Sequence, residues 1–444
     1  YMASAAIRAD GSSRFGKNNR WGYFPSASLA WRISGEDFFM KAKCLSFVDD
    51  LKLRASYGVT GNFLIGNYDH LSLMALDNYV LGTGNGQLVN GYKPSTIKNE
   101  DLSWEKNAMV NVGVDLQMFK GLLGLTVDYY NTNTSNMLLN VPVPHLTGYS
   151  TALMNIGKVN NRGWEVALTS QKNITKDFGY SFNANYATNT NEVKALGPGN
   201  APIISTGSVD HAYYITKVGE PIGCYYLLVQ DGIFSNEEEL KKYPHFSNTQ
   251  PGDFRFVDVD GDGVMDLDKD RTIVGNYMPD FTYGFKVWFK GFDLDFNFQG
   301  VYGNEILNLN RRYIDNLEGN TNGTTIALNR WKSPEDPGNG QVNRANRKSK
   351  GYNGRTSTWH LEDGSYLRLQ NVTLGYTLPK NLTQRFFVEK LRVYVSGQNL
   401  WTSTNYSGYN PEVNARPSNS LSPGEDYGTY PLAKTFLFGL NITL

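Results

Sequence analysis

Apolar and polar residues alternate along most of this chain. From Ala108 to Met118 one parity reads Ala108, Val110, Val112, Val114, Leu116 and Met118, and the other reads Met109, Asn111, Gly113, Asp115 and Gln117. Residues 123–130 set Leu123, Leu125, Val127 and Tyr129 against Gly124, Thr126, Asp128 and Tyr130. Residues 292–299 set Phe292, Leu294, Phe296 and Phe298 against Asp293, Asp295, Asn297 and Gln299. The last ten residues set Phe436, Phe438, Leu440, Ile442 and Leu444 against Thr435, Leu437, Gly439, Asn441 and Thr443. Side chains alternate faces along a strand, so each segment predicts a strand with one apolar and one wet face. Similar stretches fall near 1–10, 21–33, 51–59, 164–170, 180–188, 281–290, 366–378 and 391–400. Roughly 13 strands result, several about 10 residues or longer, the length a tilted membrane-crossing strand needs. A change of phase near Gln370–Asn371 predicts a β-bulge. The wet faces carry full charges, such as Asp293 with Asp295 and Lys52 with Arg54.

The connections come in two lengths. Phe119-Lys120-Gly121-Leu122 and Lys290-Gly291 join neighbouring strands almost directly, whereas 62–101, 197–221, 232–279, 303–361 and 402–431 are long and rich in Gly, Asn, Asp, Ser and Tyr. Segments 35–50 and 380–390 are compatible with short helices on the short-turn side. Short turns at one end and long loops at the other describe an all-β, antiparallel transmembrane barrel. A soluble extracellular all-β protein, such as a carbohydrate-binding sandwich, also alternates. Strand length and loop asymmetry favour the barrel.

Composition narrows the choice further. Lys+Arg and Asp+Glu both number 42 in 444 residues, so the chain lacks the net positive charge that drives binding to nucleic acid. A mean hydropathy of −0.43 is too polar for a helical membrane protein, and no apolar run approaches the ~18 residues of a spanning helix. A barrel tolerates that value because only alternate residues meet lipid, and the high counts of Tyr (28) and Phe (23) suit its interfacial aromatic girdles. Tyr1 opens in a strand pattern with no signal peptide, which predicts a mature or truncated chain. Cys44 and Cys224 form no metal or redox motif and are expected to be structural.

Several short phrases punctuate the chain. They are Arg8-Ala9-Asp10-Gly11-Ser12-Ser13-Arg14-Phe15, Trp21-Gly22-Tyr23-Phe24-Pro25-Ser26, Leu51-Lys52-Leu53-Arg54-Ala55-Ser56-Tyr57-Gly58, Thr60-Gly61-Asn62 and Leu102-Ser103-Trp104-Glu105-Lys106. Further along stand Asn161-Arg162-Gly163-Trp164-Glu165-Val166, Gly252-Asp253-Phe254-Arg255-Phe256, Glu362-Asp363-Gly364-Ser365-Tyr366-Leu367-Arg368-Leu369, Ser396-Gly397-Gln398-Asn399-Leu400 and Asp426-Tyr427-Gly428-Thr429-Tyr430-Pro431. Their order resembles that of the SusC/RagA family of TonB-dependent importers; Asn410-Pro411-Glu412 departs from the family's Asp-Pro-Glu, and Leu444 stands where an aromatic is usual. The resemblance implies the C-terminal portion of a barrel of about 22 strands, with the plug and N-terminal strands outside residues 1–444. It also implies a Gram-negative outer-membrane location, contact with outer-membrane lipid, a SusD-like lipoprotein lid, and the TonB complex acting through the plug. The implied cargo is an oligosaccharide or peptide. Asp10-Gly11 and Asp363-Gly364 are read as turn dipeptides that fix strand ends.

One motif carries metal chemistry. Asp258-Val259-Asp260-Gly261-Asp262-Gly263-Val264 resembles the start of an EF-hand loop. Asp258, Asp260, Asp262, the Val264 carbonyl, Asp266 and Asp270 are candidate Ca²⁺ ligands; the alternative is a metal-free loop of Asx turns. Counted from Asp258, Gly263 falls at position 6, where the loop needs its sharp turn, and position 12 holds Lys269 where an EF-hand has Glu. No catalytic set is apparent. His70, His145, His211, His245 and His360 lack metal-ligand spacing and are read as loop polar residues. No nucleophile elbow or P-loop occurs, so no enzyme is expected. Tyr213, Tyr214, Tyr313, Trp331, Trp359 and Tyr409 lie in long loops and are candidates for contact with cargo or lid, or for loop packing.

Overall fold

The computed structural model describes residues 1–84, 86–149, 151–175, 178–209, 211–289, 292–319, 321–348 and 350–444. They form two compact units, one of residues 1–172, 182–203 and 217–220, the other of 173–181, 204–216 and 221–444. Strand Gly179–Thr188 divides between them.

In the first unit β1 (Met2–Gly11), β2 (Trp21–Arg32), β3 (Val48–Asn62), β4 (Glu105–Met118), β5 (Leu123–Ser135) and β6 (Lys158–Asn173) pair in sequence order, each antiparallel to the next. Their lengths of 10 to 16 residues suffice to cross a membrane at a tilt. Register turns the sequence alternation into continuous stripes. Leu53 faces Val114, Val114 faces Val127, and Val127 faces Val166. One residue away, Arg54 faces Gly113 and Gly113 faces Asp128. A slip of one residue would exchange the two faces, so this match across neighbouring strands fixes the pairing.

In the second unit β7 (Phe281–Phe289), β8 (Phe292–Tyr302), β9 (Tyr366–Thr377), β10 (Lys390–Thr404) and β11 (Thr435–Thr443) repeat the plan. Leu294, Leu374, Val395 and Phe438 make one apolar row. The bulge falls where the phase change puts it. Pairing shifts between Leu369 and Asn371, and the amide of Asn297 donates to Gln370 Oε1 at 2.7 Å. The Lys290-Gly291 turn lies outside the described residues. Short helical turns occupy Ile33–Gly35, Asp37–Met40, Lys43–Leu45, Lys380–Thr383 and Gln384–Phe386, as the two mid-length connections predict.

The wet faces of both units use one device. Arg54 on β3 reaches over Gly113 on β4 to Asp128 on β5 at 2.9 Å, and also binds Asp115 at 2.9 Å. Arg392 on β10 reaches over Gly375 on β9 to Asp293 on β8. A Cβ at Gly113 would lie 2.3 Å from Asp128 Oδ1, and one at Gly375 would lie 2.4 Å from Asp293 Oδ2. Each glycine is therefore the gap through which charges on non-adjacent strands meet. Gly375→Val should break the Arg392–Asp293 pair and cost about 1–3 kcal/mol. The check is a lowered temperature for loss of heat-modifiable gel mobility in the full-length protein.

Burial runs opposite to that of a soluble β-protein. Many large apolar residues of the strands are exposed, Val112 at 50% and Phe438 at 81%, and most of the others, such as Val127 and Phe296, are half-exposed. Buried apolar clusters instead sit at strand ends and in connections. Phe15, Phe24, Ile65, Leu102 and Trp104 form one in the first unit. In the second, Tyr214, Tyr225, Leu227, Leu307 and Leu309 form another, and Leu228, Ile233, Phe246, Phe254, Phe256 and Met265 a third. Strands that leave their apolar stripe uncovered need an apolar solvent on that face, as a membrane wall does. Among the described residues no helix is long and apolar enough to cross a membrane.

Candidate ligand site in the long connections

The long connections of the second unit are folded, not loose. Strands Tyr213–Thr216, Cys224–Leu228 and Arg271–Gly275 pair antiparallel, and Glu305–Asn308 takes Leu361–Asp363 on one side and Glu425–Asp426 on the other. Buried polar groups close the structure over long sequence separations. Arg344 donates to both oxygens of Asp253, at 2.6 and 3.2 Å, and Asn353 bridges Asp253 and Glu318 at 2.8 and 2.6 Å. Burial raises the Glu318 carboxyl above the usual carboxylate range, against the hydrogen bonds from Asn353 and Gly351. The Tyr406 hydroxyl donates to Asp426 at 2.5 Å.

Arg368 and Tyr366 meet the Asn410-Pro411-Glu412 segment here. Arg368 binds Glu412 and donates to Asn410 Oδ1 at 2.8 Å, and the Tyr366 hydroxyl donates to Glu412 Oε1 at 2.7 Å. Asp363 Oδ1 accepts the Ser365 amide at 2.8 Å, the expected turn chemistry. Asp10-Gly11 instead closes β1 as its last two paired residues.

The aromatic candidates separate by burial. Tyr214 is 0% exposed and lies 5.4 Å from the Tyr225 ring, so it is a core residue and cannot meet a ligand. Trp331 donates to the Ser235 carbonyl at 3.2 Å and packs on the Phe254 cluster. Trp359 packs on the same cluster, with the Arg311 guanidinium 4.1 Å from its ring. Tyr213 is capped by Arg271 at 3.7 Å. Tyr313 and Tyr409 remain exposed, Tyr409 at 80%. Sequence reasoning missed Tyr427, whose ring lies 6.2 Å from that of Tyr313.

Tyr409 stands on the wall of a 570 Å³ cavity with Ile314, Ile326, Asn308, Asn310, Arg311, Asp315 and Glu362. Arg311 pairs with Asp315 at 3.1 Å and Glu362 at 3.7 Å. One cation against two carboxylates leaves a mildly acidic wall with amide donors and an aromatic face. That combination suits a ligand rich in hydroxyls or amides.

His360 departs from the loop-polar expectation. It is fully buried, its Nδ1 accepts the Ser357 amide at 3.2 Å, and burial with Arg311 nearby pushes the imidazole down to about 3. The ring is therefore neutral when folded. Its contribution to stability is complete above about pH 6.5 and fades as pH falls toward 3, because the unfolded segment takes up the proton first. The His145 side chain lies outside the description.

In the acidic loop, carboxylate oxygens of Asp258, Asp260 and Asp262 lie within 4.8 Å of one another. Asp258 accepts the amides of Gly261 and Gly263, at 2.8 and 2.9 Å, and both glycines have positive φ. Gly263 thus makes the turn its position predicts. Asp262 is held below its ordinary range by the Val264 amide and by Lys269, whose ammonium sits 3.1 Å away. Asp266 turns inward to the amides of Asp268 and Lys269, at 2.6 and 3.2 Å. Asp270 does not join the cluster. It is buried, and its two oxygens accept the amides of Val259 and Asp266, at 2.9 and 2.6 Å, so it closes the loop from inside.

The model of the TonB-dependent receptor-like β-barrel matches residues 1–400. The chain belongs to the TonB-dependent receptor family. TonB-dependent receptor P3 of Formosa agariphila is 34% identical over 452 residues, covering 100% of this chain and 44% of the relative. TonB-dependent receptor SusC of Bacteroides thetaiotaomicron is 30% identical over 451 residues, covering 100% of this chain and 42% of SusC. Among solved structures, that of the RagAB peptide transporter superposes with a TM-score of 0.81 at 29% identity, covering 99% of this chain and 45% of the matched one. The receptor is of the SusC/RagA type, an outer-membrane β-barrel protein. That location overturns the soluble carbohydrate-binding alternative. The chain spans less than half the length of the curated relatives it matches.

Proposed function

We propose that this chain supplies the C-terminal part of the barrel wall, and loop-built ligand contacts, of an importer that takes oligosaccharides or peptides across the outer membrane. The TonB complex drives it through a plug outside residues 1–444, and a SusD-like lipoprotein lids it. The observation that carries the reading is the burial pattern: bare apolar stripes on long strands beside tightly packed connections with exposed tyrosines. The likeness to SusC and to the RagAB peptide transporter supports it. Tyr409 and Tyr313 offer their faces to cargo or lid.

Deleting the gene should abolish growth on one glycan or peptide source. Tyr409→Ala should slow that growth, with surface expression unchanged. Normal growth of the deletion strain on every such source would overturn the reading.

The Asp258, Asp260 and Asp262 cluster takes Ca²⁺ in the same reading, with the Val264 carbonyl and Asp266 completing the shell once Lys269 leaves Asp262. The ion's part is to order an outer loop. Calorimetry should find binding at about 0.1–1 mM, as in extracellular calcium modules, removed by Asp260→Asn with Asp262→Asn. No heat at millimolar Ca²⁺ would exclude it.

A further inference from the structure

A second cavity in the second unit, of 260 Å³, differs in charge from the one beside Tyr409. Arg312, Lys350 and Arg355 line it, with Glu318 as the one carboxylate among the described lining residues. Asp253, which is not part of the lining, accepts from Arg344 and Asn353. Glu318 gives its Oε1 to the Gly351 amide at 2.8 Å and to Asn353 at 2.6 Å. The sequence concentrates the charge as well. Between Asp336 and Glu362 there is no acidic residue, while Arg344, Arg347, Lys348, Lys350 and Arg355 all fall there, in a chain whose net charge is zero. Backbone and packing hold the wall in place. Tyr352 stacks on Phe246 at 3.9 Å with the Arg355 guanidinium 4.9 Å from its ring, and Arg347 Nε donates to the Gly319 carbonyl at 3.2 Å.

We infer that this cavity is a binding site for an oxyanion group (sulfate, phosphate or carboxylate) carried by a small ligand, held by Arg312, Lys350 and Arg355. Converging cations in a concave, partly desolvated site raise the local concentration of anions, and guanidinium forks match tetrahedral and planar oxyanions. The site names a charge for the cargo and rests on the import reading only for that ligand's destination. Binding itself stands apart from transport.

The test uses the full-length receptor purified in detergent at low ionic strength. Calorimetric titrations compare inorganic phosphate, a sulfated disaccharide and the same disaccharide without sulfate. Phosphate and the sulfated sugar should bind, and the neutral sugar should bind at least 10-fold more weakly. Arg312→Gln with Lys350→Gln and Arg355→Gln should weaken oxyanion binding at least 10-fold. Lys332→Gln, outside the cavity, should leave it unchanged. Heat-modifiable mobility reports folding of each variant. Binding of lipopolysaccharide phosphates lost in the same triple variant would place the oxyanion on a lipid headgroup at this site. Equal affinity of wild type and folded triple variant, or no oxyanion binding by the wild type, would overturn the inference.

Discussion

Arg344→Met is expected to open the connections of the second unit while leaving its strands paired. Arg344 and Asp253 are both buried, and the pair makes two direct hydrogen bonds. Removing the guanidinium strands the buried Asp253 carboxylate with, among the described residues, Asn353 and the Gln250 amide to compensate it. Breaking one partner of a buried pair costs about 3–5 kcal/mol. The loss should appear as protease cleavage near Phe254 and Tyr352 on intact cells, with heat-modifiable mobility retained. Adding Asp253→Asn should recover part of the loss, because it removes the stranded charge. A cost of the same size in the double variant would mean that packing, not charge, holds this region.

The second large effect belongs to the first unit. Trp104 is nearly buried and meets Phe15, Phe24 and Phe63 at ring distances of 5.4, 5.3 and 5.2 Å, and its indole donates to the Arg20 carbonyl at 3.1 Å. Gly22 and Gly61 are kept bare so that Phe24 fits beneath it, since a Cβ at either would lie 2.4 or 2.2 Å from that ring. Trp104→Ala should cost about 3–5 kcal/mol through the cavity it leaves. Trp104→Phe should keep most of the packing and cost about 1–2 kcal/mol for the lost donor. Unfolding in denaturant, followed by tryptophan fluorescence of the remaining indoles and by mobility, measures both.

The strands were readable because alternation is local. Each window of ten residues states its own conformation, and the bulge at Gln370 announced itself as a change of phase. The short helical turns near 37–45 and 380–386 were readable for the same reason. The interior of the long connections was not. Ser208 bonds Glu425 and Phe254 bonds Asn353, and no local window relates residues so far apart. Tyr213 and Tyr214 look alike in sequence, yet one is capped by Arg271 and the other is a core ring. Counting along the acidic loop placed Gly263 correctly, because a turn is a backbone property. It could not foresee that Asp270 spends both oxygens on backbone amides. The glycines at 113 and 375 were visible as letters, but their purpose depends on charges two strands apart.

Import through this barrel requires that the apolar strand face meet lipid. Nitroxide labels placed one at a time on residues 108–118 of the full-length receptor in lipid bilayers read that contact directly. Collision with oxygen, which concentrates in lipid, should peak at positions 110, 112, 114 and 116. Collision with a water-soluble nickel chelate should peak at 111, 113, 115 and 117. Oxygen and nickel profiles that rise together, or that exchange parity, would show that the apolar stripe does not meet the membrane.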